Sequence, residues 1–223
     1  MKPLRKILYT AALCLGFTLI SGNYLSARTE YWEQKVTLFN ELRITPEDIV
    51  FLGNSITDGG EFAELFCNEN IKNRGISGDV ISGVMERLHQ VTSGSPRKIF
   101  LLIGINDISH DIPAEKLAEE YNKLVKKILA DSPSSQLYIQ SVMPINNDFG
   151  RYKNLKGKEN VVNELNTYLQ QIAVDNNVVF IDLSPILADA NGKLKRPYTN
   201  DGLHLTGRGY RAWTDHIRHF VEE

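Results

Sequence analysis

Two short segments near opposite ends of the chain carry residue types that together perform nucleophilic chemistry. The first is Gly53-Asn54-Ser55-Ile56-Thr57-Asp58-Gly59-Gly60, directly after an apolar run. The glycine ahead of the serine permits a sharp turn that leaves the hydroxyl projecting. A serine hydroxyl is a poor nucleophile until a neighbouring base takes its proton, and histidine titrates in the range suited to that task. The second segment is Asn200-Asp201-Gly202-Leu203-His204-Leu205, in which an aspartate stands three residues before a histidine on a glycine-containing turn. An aspartate so placed would hold the imidazole in one tautomer and orientation. Taken singly, each segment has other readings: a polar turn or a helix cap, or, for 53–60, an anion-binding loop at a helix start. Neither the Gly-x-Gly-x-x-Gly nor the Gly-Lys-Ser/Thr pattern of nucleotide loops is present there.

Two more segments would complete such a site. Asn73-Arg74-Gly75-Ile76-Ser77-Gly78-Asp79-Val80 leads into a helical pattern, and Gly104-Ile105-Asn106-Asp107 follows an apolar run. Acyl transfer needs donors fixed where the tetrahedral oxyanion develops. The backbone N–H groups of Ser55 and Gly78, with the Asn106 side-chain amide, would supply three neutral donors, and glycine at 78 would let substrate approach the backbone closely.

The elements that must position these residues are legible as periodicity. Continuous apolar runs at 48–52, 98–103, 136–142 and 178–181, with a weaker one at 70–73, predict strands buried on both faces, as in parallel sheets. Helical spacing is predicted over 31–42, 79–90, 113–130, 159–176 and 207–221. Strands alternating with helices make an α/β three-layer sandwich, in which ligands bind beyond the carboxyl ends of the strands. All four chemical segments but the last follow a strand, so those three share one sheet edge.

Gly53-Asn54-Ser55, Gly78, Gly104-x-Asn106-Asp107 and Asp201-x-x-His204 stand in the order and spacing of the SGNH (GDSL-like) hydrolases. The chain resembles that family from Ile49 to the last helix. In detail it is similar to the bacterial branch related to platelet-activating-factor acetylhydrolase and carbohydrate O-acetylesterases. It departs from the usual Gly-Asp-Ser by carrying Asn54. The resemblance implies a flavodoxin-like five-stranded parallel sheet in the order 2-1-3-4-5. It also implies a serine esterase with Ser55 as nucleophile, His204 as base and then acid, Asp201 orienting His204, and Ser55, Gly78 and Asn106 as the oxyanion hole. The chemistry calls for no metal and no cofactor.

Length and composition are those of one domain of ordinary globular character. A formal net charge of −2 gives no electrostatic reason to expect nucleic acid as partner. A basic start (Lys2, Arg5, Lys6), an apolar run over 7–20 and a small residue at Ala27 read as an export signal at 1–27. The apolar run is too short for a membrane span, so the mature protein, 28–223, would be a single domain, periplasmic or secreted. Cys67 then remains as the one cysteine of 28–223 and is expected to be a buried small residue. His216 and His219 read as a solvated helix face, not a metal site, and Trp32 and Trp213 as core aromatics.

For the substrate, Asn54 and Ile105 adjoin the catalytic segments, and the longest irregular stretch, 144–158, offers Phe149, Arg151 and Tyr152. Long irregular loops are often binding loops. An aromatic and basic loop beside a shallow acyl pocket suits an acetylated sugar, including one that bears a carboxylate such as sialic acid. The competing readings are a lysophospholipase or thioesterase of longer acyl chains, a sugar-binding module without catalysis, and a flavodoxin-like phosphate binder.

Overall fold

The structure is a computed structural model that describes residues 29–223. The expected export segment lies outside the described residues. Five strands, β1 (Ile49–Gly53), β2 (Ile71–Gly75), β3 (Lys98–Leu102), β4 (Gln136–Gln140) and β5 (Val179–Ile181), form one parallel sheet in the order β2-β1-β3-β4-β5. The helices in chain order are α1 (Glu30–Glu41), α2 (Ser55–Asp58), α3 (Phe62–Phe66), α4 (Ile81–Glu86), α5 (His89–Thr92), α6 (Ile105–Ser109), α7 (Ala114–Asp131), α8 (Glu159–Asp175), α9 (Ser184–Leu187) and α10 (Gly207–Glu222).

Every residue of β1 and β3 is buried, as continuous apolar runs require when both sheet faces are covered. Alternation along the strands sends Phe51, Phe100 and Tyr138 to one face. They are in register on adjacent strands and stack at 5.0 Å and 4.5 Å between centroids. Phe62 of α3 stacks on Phe51 at 4.0 Å, and Trp213 of α10 meets both rings edge-on at 6.2 Å and 5.1 Å. Trp213 also donates its indole N–H to Gln140 Oε1, at 2.7 Å. Fully buried aromatic side chains contribute roughly 1.5–3 kcal/mol each, so this cluster clamps α10, and the loop that precedes it, onto the sheet. The opposite layer is α4, α7 and α8.

Two sequence expectations change. The predicted helix over 79–90 is two short helices, α4 and α5. The backbone breaks at Arg87, whose side chain turns inward to donate to Asp79 Oδ2 at 2.7 Å and to the Gly53 carbonyl at 3.1 Å. Cys67 is exposed, not buried: it ends α3 in a left-handed conformation that turns it outward, while Phe66 takes the core position. Trp32 is a core aromatic of a small satellite cluster with Phe39 and Ile76 that docks α1. No helix among the described residues is long and apolar enough to cross a membrane.

Candidate active site

Ser55 opens α2 immediately beyond the carboxyl end of β1. The turn is made possible by Gly53, where a Cβ would collide with the Leu102 carbonyl oxygen of β3 and with Thr57. Asn54 is wholly buried and caps α2, its Oδ1 accepting the Ile56 N–H at 3.1 Å. Its side chain therefore holds the nucleophile's helix and presents no surface to a substrate. Ile105, also expected near substrate, is likewise buried, in the hydrophobic core.

His204 reaches Ser55 from a loop ahead of α10. Its Nε2 lies 2.9 Å from Ser55 Oγ, and its Nδ1 lies 2.8 Å from Asp201 Oδ2. The loop is built from local hydrogen bonds. Thr199 Oγ1 accepts the Gly202 N–H at 2.9 Å, and Asp201 Oδ1 accepts the N–H groups of Leu203 and His204, both at 2.8 Å. Asn146 anchors it to the sheet by donating its N–H to the Gly202 carbonyl at 2.8 Å. Asp201 thus divides its labour: one oxygen shapes the turn, the other faces the imidazole. Partial burial pushes the Asp201 carboxyl up, but hydrogen bonds from His204, from the Leu203 and His204 backbone and from Tyr152 outweigh it. They hold the group at about 2, so it is a carboxylate at any working pH.

Of the expected oxyanion donors, Gly78 directly follows Ser77, which lines the same cleft as Ser55. Among the described residues the Ser55 and Gly78 N–H groups meet no backbone acceptor. Gly78 adopts φ +82°, disfavoured for any residue with a Cβ, and the space beside it is open. Asn106 begins α6 and donates one amide hydrogen to the Asp79 carbonyl at 2.8 Å, leaving the second free. This hydrogen bond joins the Gly78 and Asn106 loops. Behind them Asp79 is fully buried and accepts from Trp32 Nε1 at 3.1 Å as well as from Arg87. The Gly78 and Asn106 loops therefore rest on a buried ion pair, the kind of support that preorganised donors would need.

Asp107 completes that support by accepting the Ile81 N–H at 3.1 Å. Desolvation, reinforced by the charge of Asp79 and opposed by the Ile81 N–H, pushes its carboxyl up to about 7. A carboxyl raised in the folded state binds a proton that the unfolded chain has lost. It contributes stability below the ordinary carboxylate range that disappears as pH rises to about 7. Asp107→Asn keeps the acceptor for Ile81 and removes the titration. Its melting temperature relative to the wild type should therefore rise between pH 5 and pH 8, by the equivalent of at most about 3 kcal/mol for the roughly two pH units between pH 5 and about 7. Equal differences at both pH values would contradict a neutral Asp107.

Beside Ser55 and His204 opens a cleft of about 450 Å³, lined also by Tyr31, Asp58, Gly59, Ser77, Leu205 and Tyr210. Asp58 is held by Lys35 at 2.9 Å, by the Tyr31 hydroxyl at 2.7 Å and by the Ser77 N–H at 3.2 Å. Tyr210 donates to the Ile56 carbonyl at 2.8 Å. None of these lining residues was singled out from the sequence except Ser55 and His204. Tyr31 and Lys35 come from α1 and Tyr210 from α10, so nothing local marks them as neighbours. None of the loop residues expected to bind substrate is among those that line this cleft. Phe149 sits under the Arg196 guanidinium, 5.0 Å from its ring centroid, and Arg151 is exposed. Tyr152 touches the Asp201–His204 pair, its hydroxyl 2.9 Å from Asp201 Oδ2 and 2.9 Å from His204 Nδ1. His216 meets the Asp182 carbonyl through Nε2 at 3.2 Å. No group of three potential metal ligands occurs among the described residues.

Residues 51–212 match the model of the GDSL-like lipase/acylhydrolase family. A structure from Streptococcus pneumonia, provisionally described as a platelet activating factor, shares 29% identity with a TM-score of 0.78, over 86% of this chain and 92% of that one. A GDSL-like lipase from Bacteroides thetaiotaomicron VPI-5482 shares the fold, with 24% identity and a TM-score of 0.75 over 85% of this chain and 96% of its own. Among curated proteins, N-acylneuraminate cytidylyltransferase of Escherichia coli O18:K1:H7 (strain RS218 / NMEC) is 29% identical over 180 residues. That match takes in 78% of this chain, which spans only 40% of the length of that relative. With a parallel sheet in the order β2-β1-β3-β4-β5, a serine at the end of β1 and a family match over most of its length, the chain belongs to the GDSL-like lipase/acylhydrolase family.

Proposed function

We propose that this protein is a serine esterase that removes short O-acyl groups, foremost O-acetyl, from carbohydrates. In this reading Ser55 Oγ attacks the acyl carbonyl carbon while its proton passes to His204 Nε2. The developing oxyanion accepts hydrogen bonds from the Ser55 and Gly78 N–H groups and the Asn106 amide. Collapse of the tetrahedral adduct breaks the ester bond, and the imidazolium returns the proton to the leaving alcohol. Water then enters, gives a proton to His204 and attacks the acyl-enzyme, releasing the carboxylic acid and restoring Ser55.

The observation that carries the substrate class is the lining of the cleft beside Ser55. Of its eight residues, only Leu205 offers an aliphatic side chain; the others bring hydroxyls, a carboxylate, an imidazole and a glycine. A long acyl chain would find little apolar surface to bury there, whereas a polyol would find partners for its hydroxyls. Similarity to part of a protein named for action on N-acylneuraminate supports an acidic sugar as one candidate. The Lys35 ammonium is occupied by Asp58, and exposed Arg151, next in the chain to the Tyr152 that touches His204, is the cation we propose for a substrate carboxylate.

A chain-length series of 4-nitrophenyl esters tests this reading. The value of kcat/KM is expected to peak at acetyl and to fall steadily toward octanoyl. A maximum near octanoyl would instead mark a lysophospholipase or thioesterase.

A further inference from the structure

We infer that Tyr152 is a positioning residue for the Asp201–His204 pair and tunes the pH at which that pair works. The inference rests on the triad reading above. The Tyr152 hydroxyl stands within hydrogen-bond distance of two triad atoms at once, 2.9 Å from Asp201 Oδ2 and 2.9 Å from His204 Nδ1. Those two atoms are themselves 2.8 Å apart, so the three polar atoms form a closed triangle.

Proton accounting assigns the directions. His204 must leave Nε2 free to accept from Ser55, so its proton sits on Nδ1 and is donated to Asp201 Oδ2. The one phenolic proton then goes to Asp201 Oδ2 as well, and a phenol lone pair faces the Nδ1–H. Tyr152 thereby loads the same carboxylate oxygen that receives the imidazole proton. It weakens that oxygen as an acceptor while fixing its place. The ring adds a wall, lying edge-on to the imidazole at 5.6 Å and an interplanar angle of 70°.

The phenol itself stays protonated: burial, the bond to Asp201 and the charge of Asp201 push it up to about 12 against the opposing charge of Arg151. Arg151 is thus the charged group that acts on the Tyr152 side of the pair. On the Ser55 side, Asp58 is neutralised by Lys35. Tyr152 lies in the 144–158 loop, whose position is set by bonds that do not involve the phenol. Asn147 Nδ2 donates to the Leu155 carbonyl at 3.0 Å and to Glu159 Oε1 at 2.7 Å, and Lys158 Nζ donates to the Ile108 carbonyl at 2.7 Å. The loop anchors would hold with or without the phenol, so removing the hydroxyl alone is a clean change.

The experiment compares pH profiles of 4-nitrophenyl acetate hydrolysis for the wild type, Tyr152→Phe and Ser55→Ala. Tyr152→Phe is expected to keep KM and to lose kcat about three- to tenfold, the worth of one ordinary hydrogen bond. The acid limb of its kcat/KM profile is expected to move up by about half a pH unit, because an unloaded carboxylate stabilises the imidazolium more strongly. Unchanged kcat and an unchanged limb, with Ser55→Ala inactive, would overturn the role of Tyr152 and leave the triad standing. A raised KM with unchanged kcat would overturn it too, since that marks a substrate contact. Activity persisting in Ser55→Ala would overturn the triad itself, and with it the inference.

Discussion

Ser55→Ala is expected to lower kcat on 4-nitrophenyl acetate by on the order of a thousandfold or more while the protein stays folded. The loss is large because every later step depends on the covalent acyl-enzyme, and triad members act as a unit, not additively. The residual rate would be what the Gly78 and Asn106 donors and simple binding supply against the uncatalysed reaction. Folding should be indifferent to the change. The Ser55 hydroxyl is engaged by His204 at the edge of an open cleft, and α2 keeps its cap from Asn54. Acetate release measured by pH-stat, with the melting temperature as control, gives the answer. A mutant retaining more than a few per cent of wild-type kcat would remove Ser55 from the reaction.

Asp201→Asn should cost nearly as much, about a thousand- to ten-thousandfold in kcat, for a different reason. An asparagine can keep Oδ1 on the Leu203 and His204 N–H groups, so the turn would survive. The amide nitrogen would then replace Oδ2 opposite His204 Nδ1, where the carboxylate now stands at 2.8 Å. An amide N–H donates where the carboxylate accepted, which drives the imidazole proton to Nε2. Nε2 faces Ser55 Oγ at 2.9 Å and could no longer take its proton. Because Asp201 is held at about 2, the wild type should lose no activity through Asp201 itself above about pH 4. The measurement is kcat for the mutant with unchanged far-UV circular dichroism. A fall of less than tenfold would mean that Asp201 does no more than shape its turn.

The parts of this protein that were legible in its sequence are those governed by local physics. Buried strands announce themselves as unbroken apolar runs because both faces must leave water, and β1, β3 and β4 begin and end within two residues of the predicted bounds. Asp201 and His204 were readable as a pair because they stand three positions apart on a turn that contains Gly202. Thr199, whose hydroxyl caps the same turn, was readable on the same grounds but passed unremarked. Gly78 and Asn106 could be nominated because each follows a strand on the same edge of one sheet. The strand order and the assembly of the four segments came from the family resemblance, since periodicity says nothing about which strand lies beside which.

What only the tertiary structure decided is which distant residues surround the reacting atoms. Tyr31 reaches the cleft, and Lys35 the Asp58 that lines it, because Trp32 and Phe39 dock α1 on Ile76, and Tyr210 reaches it because Trp213 docks α10 on Phe51 and Phe62. Tyr152 stands on Asp201 and His204, 49 and 52 residues away in the chain, a contact that nothing in its own loop announces. Asn54 and Ile105 were nominated for their nearness in sequence to the chemical segments, yet both side chains point into the protein. The helix predicted as one piece over 79–90 is divided at Arg87, whose buried partner Asp79 no periodic pattern could reveal. The sequence by itself determined which residues are chemically able and which segments are strands and helices, because those properties are local. Packing across the core alone decided the neighbours of Ser55 and His204, because they depend on contacts between elements far apart in the chain.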